Sequence, residues 1–193
     1  MALAEPFPSP EAPKAALDRV IVVGTSGAGK STYAQRLARL LGHAHTELDE
    51  LHWDRNWQPK PTPEFRELVT RLIAQPRWIA DGNYGAIRDL VWPRATTVVW
   101  LNYTLSTILW RLFCRTLSRM ITRRELWHGN RESFRMAFLS RQSILVWAVT
   151  TFQRRRDQLA ALRRSGLYPQ LSWLEFRAPR EAEAYLRSLA VKP

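Results

Sequence analysis

Gly24-Thr25-Ser26-Gly27-Ala28-Gly29-Lys30-Ser31 decides the fold of this 193-residue chain. The octet satisfies G-x-x-x-x-G-K-[S/T] at every defined position. It follows a β-branched run, Arg19 to Val23, and precedes Ser31 to Leu41, where apolar residues recur at helical spacing. A glycine turn can match the octet by chance, but a preceding strand and a following helix are what give the pattern meaning. The backbone must bend so that successive N–H groups face phosphate oxygens, with the helix N-terminus adding its positive end. The motif therefore assigns Gly24, Thr25, Ser26, Gly27, Ala28, Gly29, Lys30, Ser31 and Thr32 to a nucleotide such as ATP. Lys30 is expected at the β- and γ-phosphates, Ser31 on Mg2+ and Thr32 near the α-phosphate.

Outward from the loop, strands alternate with helices. Thr46–Leu48, Arg77–Ala80, Thr96–Leu101 and Leu171–Phe176 read as further strands, and Pro63–Ala74, Leu105–Arg123, Phe134–Arg164 and Pro179–Leu189 as helices. This order predicts an α/β fold with a parallel five-stranded sheet covered by helices on both faces. The Pro-rich start, residues 1–16, reads as a mobile leader, and 17–193 as one domain. The uncharged stretch Ala95–Trp110 is too short to span a bilayer. A lone cysteine, Cys114, excludes an internal disulfide, points to the cytoplasm and reads as a packing residue. Trp92, Trp100, Trp110, Trp127, Trp147 and Trp173 are expected mostly in the core.

Charge narrows the partners. The formal net charge is +12, and thirteen arginines between Arg111 and Arg164 face only Glu125, Glu132 and Asp157. Guanidinium suits bidentate phosphate contacts, and the alternative is a solvated face of long helices. No Asn-Lys-x-Asp guanine signature occurs, which counts against a GTPase. Two carboxylates fall where the sheet's C-terminal edge is expected. Asp81 closes the apolar run Trp78-Ile79-Ala80 and is a candidate metal ligand beside Ser31; Asp49 closes the second strand and is a candidate partner for an acceptor hydroxyl. A turn or helix cap is the simpler reading of either alone.

Leu48-Asp49-Glu50-Leu51-His52-Trp53, Asn56-Trp57, Trp78-Ile79-Ala80-Asp81-Gly82-Asn83-Tyr84 and Trp110-Arg111 together resemble the bacterial adenylate-kinase-related P-loop proteins of the topology modulation type, over about Arg19 to Arg164. The resemblance implies a P-loop NTPase three-layer fold of the nucleoside-monophosphate-kinase kind. It further implies a sheet order of 2-3-1-4-5, Mg-ATP binding and phosphoryl transfer to a small acceptor, with an arginine-rich helical lid at about 115–156. Adenylate kinases proper run from the third strand into Asp-Gly-Phe-Pro-Arg, so the acceptor-phosphate arginine is absent here, and Arg88 is the candidate replacement. By the same resemblance Arg111 stacks on the ATP base and Arg115 touches its phosphates; residues four apart share a helix face. Among Arg119, Arg123, Arg124, Arg131, Arg135, Arg141 and Arg154 to Arg156 the sequence does not choose the closing arginines.

His52, Trp53, Trp57 and Phe65 fall where such kinases fold an acceptor segment, and either sandwich a base or pack as core. His43, His45, His52 and His128 lack metal spacing and read as ordinary histidines. The expectation is a cytoplasmic kinase in which Lys30, Asp49, Asp81 and Arg115 serve catalysis. Asp49, His52, Trp53 and Arg88 then serve the acceptor. The alternative is a nucleic-acid-associated or regulatory ATP-binding protein without small-molecule transfer.

Overall fold

A computed structural model describes residues 14–122, 128 and 144–190. Five parallel strands form one sheet in the order β2-β3-β1-β4-β5. β1 (Arg19–Gly24) is central, between β3 (Trp78–Asp81) and β4 (Thr97–Leu101), while β2 (His45–Glu47) and β5 (Ser172–Phe176) form the edges. Every residue of β4, and all but the first of β1, is buried, as expected for parallel strands covered on both sides.

Strand alternation divides the core in two. Val20 and Val22 of β1, with Val99, Leu101, Leu174 and Phe176, pack on α1 (Lys30–Leu41), α5 (Leu105–Thr122) and α7 (Pro179–Ala190). Ile21 and Val23, with Ala80, Val98 and Trp100, pack on α3 (Thr62–Ile73), α4 (Arg88–Arg94) and α6 (Ile144–Arg164). Truncating such a fully buried residue as Leu37 or Val69 should cost about 2–4 kcal/mol, through lost transfer energy and the cavity left behind. Because β1 is flanked by β3 on one side and β4 on the other, the crevice at its C-terminal end is where ligands enter such sheets.

Several details differ from the sequence expectation. The second strand ends at Glu47, and Asp49 sits in the first turn of a short helix, α2 (Leu48–His52), because Leu48 turns inward and is fully buried beside Gly82. α4, with Pro93 in its last turn, was not legible. Lys14–Leu17 form a 3-10 turn whose Ala16 carbonyl accepts from the hydroxyls of Thr96 and Thr97, so the chain is tied to the sheet before Leu17. Trp110 and Cys114 are exposed rather than packed, since Ile108 and Leu112 supply the buried stripe of α5 and leave Trp110, Phe113, Cys114 and Leu117 on the other side. Trp92 and Trp100 are buried as expected and meet at the edges of Trp173. The leader through Pro13, Trp127, Arg123, Arg124, Arg131, Arg135 and Arg141, and the side chains of Arg119 and Trp147, lie outside the described residues.

Candidate nucleotide and acceptor site

The loop Gly24–Gly29 leaves β1 at the crevice and enters α1. It folds on itself: the Ala28 N–H donates to the Thr25 carbonyl at 3.1 Å, and the Lys30 ammonium reaches the same oxygen at 3.4 Å. α5 covers its outer side. A Cβ at Gly27 would lie 2.5 Å from Leu112 Cγ and 3.1 Å from the Ile108 carbonyl oxygen, so glycine is needed there for contact as well as for its φ of 87°. Gly29, also at φ 87°, meets only the movable end of Arg111 and is needed for conformation. Burial lowers the pKa of Lys30; Asp49 and Asp81 oppose that and Arg115 and Arg155 add to it. Lys30 thus feels two carboxylates and two guanidinium groups.

Asp81 is 3% exposed and has a partner on each oxygen. Ser31 Oγ donates at 2.8 Å, and His45 Nε2 lies at 2.8 Å from the other oxygen, an arrangement that places a proton on that nitrogen. Burial, then repulsion from Asp81, raises the pKa of Glu47, while His45 and a hydrogen bond to Ser31 oppose the rise. Ser31 thus stands among Asp81 and Glu47. Among the described residues no three His, Cys, Asp or Glu side chains form a preformed metal cage. An all-oxygen set of one hydroxyl and one or two carboxylates does suit Mg2+, which takes few protein ligands and completes its shell with phosphates and water.

Across the crevice, Tyr84 Oη donates to Asp49. Burial, reinforced by Asp49, pushes the Tyr84 phenol far above its ordinary value, so it stays a donor. Asn83 clasps Gly24 through its carboxamide, and its main-chain oxygen accepts from Arg155 Nη1 at 3.2 Å. Arg155 and Arg88 line one tight pocket of about 30 Å³ with Asn83, Tyr84 and Gln158. Burial, then repulsion from Arg154 and Arg88, lowers the pKa of Arg155. The Arg88 guanidinium lies 5.5 Å from the Trp92 ring centroid. A second cleft, about 340 Å³, is lined by Ala28, Gly29, Thr32, Tyr103, Arg111 and Arg180, among others, and Arg111 stands 5.9 Å over the Tyr103 ring.

His52 is packed against Trp53, Phe65 and Tyr84 at centroid distances of 4.8, 5.0 and 4.6 Å, and Trp53 meets Trp57 edge-on at 6.0 Å. These rings fill one another's faces. Sequence reading missed His45, Glu47 and the role of Asn83, and left Arg155 among many candidates. His45 and Glu47 alternate along an edge strand of three residues, too short for its own pattern to show. Asn83 stands in the sequence as part of the Asp81-Gly82-Asn83-Tyr84 motif, which by itself assigns it no contact.

No protein-family profile matches the chain. An uncharacterized Bacillus subtilis (strain 168) protein, YqaC, is 33% identical over 63 residues, which span 32% of this chain and 35% of that protein. Among solved structures, a gluconokinase from Sinorhizobium meliloti 1021 superposes with a TM-score of 0.50 at 20% identity, covering 90% of this chain and 94% of its own. A shikimate kinase from Bacteroides thetaiotaomicron gives 0.51 at 14% identity, over 89% and 95%. No helix of the described residues is long and apolar enough to cross a membrane. With the octet between β1 and α1 and the order β2-β3-β1-β4-β5, these likenesses establish the P-loop NTPase fold that those kinases share.

Proposed function

We propose that the protein is a cytoplasmic Mg-ATP-dependent phosphotransferase of the nucleoside-monophosphate-kinase type, passing the γ-phosphoryl group to a small acceptor that carries an anionic group. The observation that carries this reading is the convergence on one crevice of Lys30, the Ser31–Asp81 pair at 2.8 Å, Asp49 and the guanidinium groups of Arg88, Arg115 and Arg155. A passive binding loop needs no second carboxylate and no second cationic wall.

In this reading the cleft at Arg111 and Tyr103 takes the base, and the loop with Lys30 takes the phosphates. Ser31 and Asp81 would hold Mg2+, with Glu47 beside them, and the ion would offset the charge of the phosphate chain. The acceptor's anionic group sits at Arg88 and Arg155, the two guanidinium groups that line the tight pocket. Tyr84 holds one oxygen of Asp49, leaving the other to orient an acceptor hydroxyl and take its proton. The acceptor oxygen bonds to the γ-phosphorus, the bond from that phosphorus to the β,γ-bridging oxygen breaks, and ADP leaves. Arg115 and Lys30 offset the charge in transit. His52 and Trp53 shape the acceptor side through their packing.

The test is a product screen by mass with ATP, Mg2+ and a panel of nucleoside monophosphates, nucleosides and small hydroxylated acids. A product heavier by one phosphoryl group, formed with ADP, supports the reading. Tight ATP binding with no product across the panel favours a regulatory binder. Binding of single-stranded DNA that weakens steeply with salt favours the nucleic-acid alternative.

A further inference from the structure

β1 and β3 pair in parallel as far as Val22 and Asp81, and the Gly82 N–H still donates to the Val22 carbonyl at 3.2 Å. One rung later the chain turns away at Gly82, whose φ is 147°. The ladder continues without the backbone of β3: Asn83 Oδ1 accepts from the Gly24 N–H at 3.2 Å, and Asn83 Nδ2 donates to the Gly24 carbonyl at 2.6 Å. A carboxamide presents one acceptor and a donor side by side, as a peptide unit does, so it can replace a missing rung. On its other side Gly24 is in register with Leu101 of β4, and a Cβ at Gly24 would lie 2.7 Å from the Leu101 carbonyl oxygen. Gly24 is therefore fixed from both flanks at the point where the loop leaves the sheet.

Asn83 also faces the acceptor side through its main chain, because its own carbonyl accepts from Arg155 of α6. Its neighbours divide likewise: Asp81, two residues earlier, holds Ser31, and Tyr84, one residue later, holds Asp49. The stretch from Asp81, the last residue of β3, to Tyr84 thus reaches Ser31, Gly24, Arg155 and Asp49, and Asn83 is the one whose side chain bonds the loop itself.

We propose that Asn83 is a positioning residue for phosphate binding. Its carboxamide sets the height and direction at which Gly24 leaves the sheet, and so the placement of the loop N–H groups and Lys30 relative to Asp81. A grip by Arg155 on the same residue ties the acceptor wall to that placement. The inference rests on the reading of the loop as a nucleotide-phosphate site, and it concerns the hydrogen-bonding pattern of one side chain rather than its volume.

The test is calorimetry of Mg-ADP on the full chain and on Asn83→Ala and Asn83→Asp, with glycine-selective 15N NMR and thermal melts of each. Aspartate has the shape of asparagine but sets a carboxylate oxygen against the Gly24 carbonyl. Two lost hydrogen bonds at the mouth of the loop should weaken ADP by about ten- to a hundredfold in Asn83→Ala. Asn83→Asp should bind no better than Asn83→Ala, and in Asn83→Ala the Gly24 amide should lose its protection from exchange. Aspartate binding like the parent would mean that Asn83 only fills space, and the proposal falls. Both variants within about twofold of the parent would also overturn it. A parent that binds no ADP sinks the nucleotide reading itself and this inference with it. If Asn83→Ala does not fold, the isosteric Asn83→Asp decides alone.

Discussion

In the function proposed above, the donor side of the crevice is one uninterrupted stretch, Gly24 to Ser31, whereas the acceptor side collects Asp49 from α2, Tyr84 from the loop after β3, Arg88 from α4 and Arg155 from α6. The difference follows from what each side has to recognise. A phosphate chain repeats equivalent oxygens, and a bent backbone with one lysine meets them with groups that every sequence of this form supplies. An acceptor has its own shape, and only side chains brought together by packing can match it. The donor side is thus coded locally and the acceptor side by the whole fold.

The largest effect that would break this division is loss of the donor side by one substitution. Lys30→Ala should lower phosphoryl transfer by about a thousandfold and abolish measurable ATP binding, with the melt little changed, since the ammonium group supports no apolar core. Calorimetry giving the parent affinity in a folded variant would remove the loop from the chemistry.

Next come the two carboxylates, which sharpen the comparison because one belongs to each side. Asp81→Asn loses the charge beside Ser31, and Asp49→Asn loses the acceptor for the Tyr84 hydroxyl and for a substrate proton. Both should cost about a hundredfold or more in turnover. Raising Mg2+ should partly restore Asp81→Asn and leave Asp49→Asn unmoved. Identical Mg2+ profiles would mean that the two carboxylates serve one site.

Smaller again is the cost of exchanging guanidinium for ammonium on the acceptor wall. Arg155→Lys keeps charge but not the planar fork, and should raise the acceptor KM by about tenfold while ADP affinity changes by less than about twofold. Steady-state kinetics with the acceptor found by the mass screen would check this. An equal loss of both affinities would show that the wall serves the donor.

How far the sequence could be read follows the same line. The order of strands and helices, the loop and the position of Asp81 at the end of β3 all lie in contiguous patterns, and the structure has them there. Arg155 could not be chosen among the arginines of that region, because the choice depends on where α6 crosses the loop after β3. His45 reads as an ordinary histidine until β2 is placed beside β3, in register with Ile79, which brings its ring to Asp81. The exposure of Cys114 and Trp110 was equally hidden: helical spacing gives two possible apolar stripes on α5, and only packing against the loop at Gly27 selects Ile108 and Leu112.

The smallest expected effect separates packing from recognition on the acceptor side, at His52. Burial lowers the pKa of its ring below the ordinary value of 6.5, with Asp49 pulling it back part of the way. Unfolding releases the ring to take a proton more readily, so its contribution to stability is complete above about pH 6.5 and is lost as pH falls through that value and the lower folded one. The parent should therefore melt lower at pH 5.5 than at pH 7.5, beyond what its carboxylates alone would give. His52→Phe keeps a ring among Trp53, Phe65 and Tyr84 but has nothing to protonate. Because the ring is only half-buried, water screens the effect, and the variant should narrow the gap between the two melting temperatures by about 1–3 °C. Calorimetric melts at both pH values read this directly. An unchanged gap would mean the ring is solvated in the native state, which would return His52 to the pool of groups free to meet an acceptor.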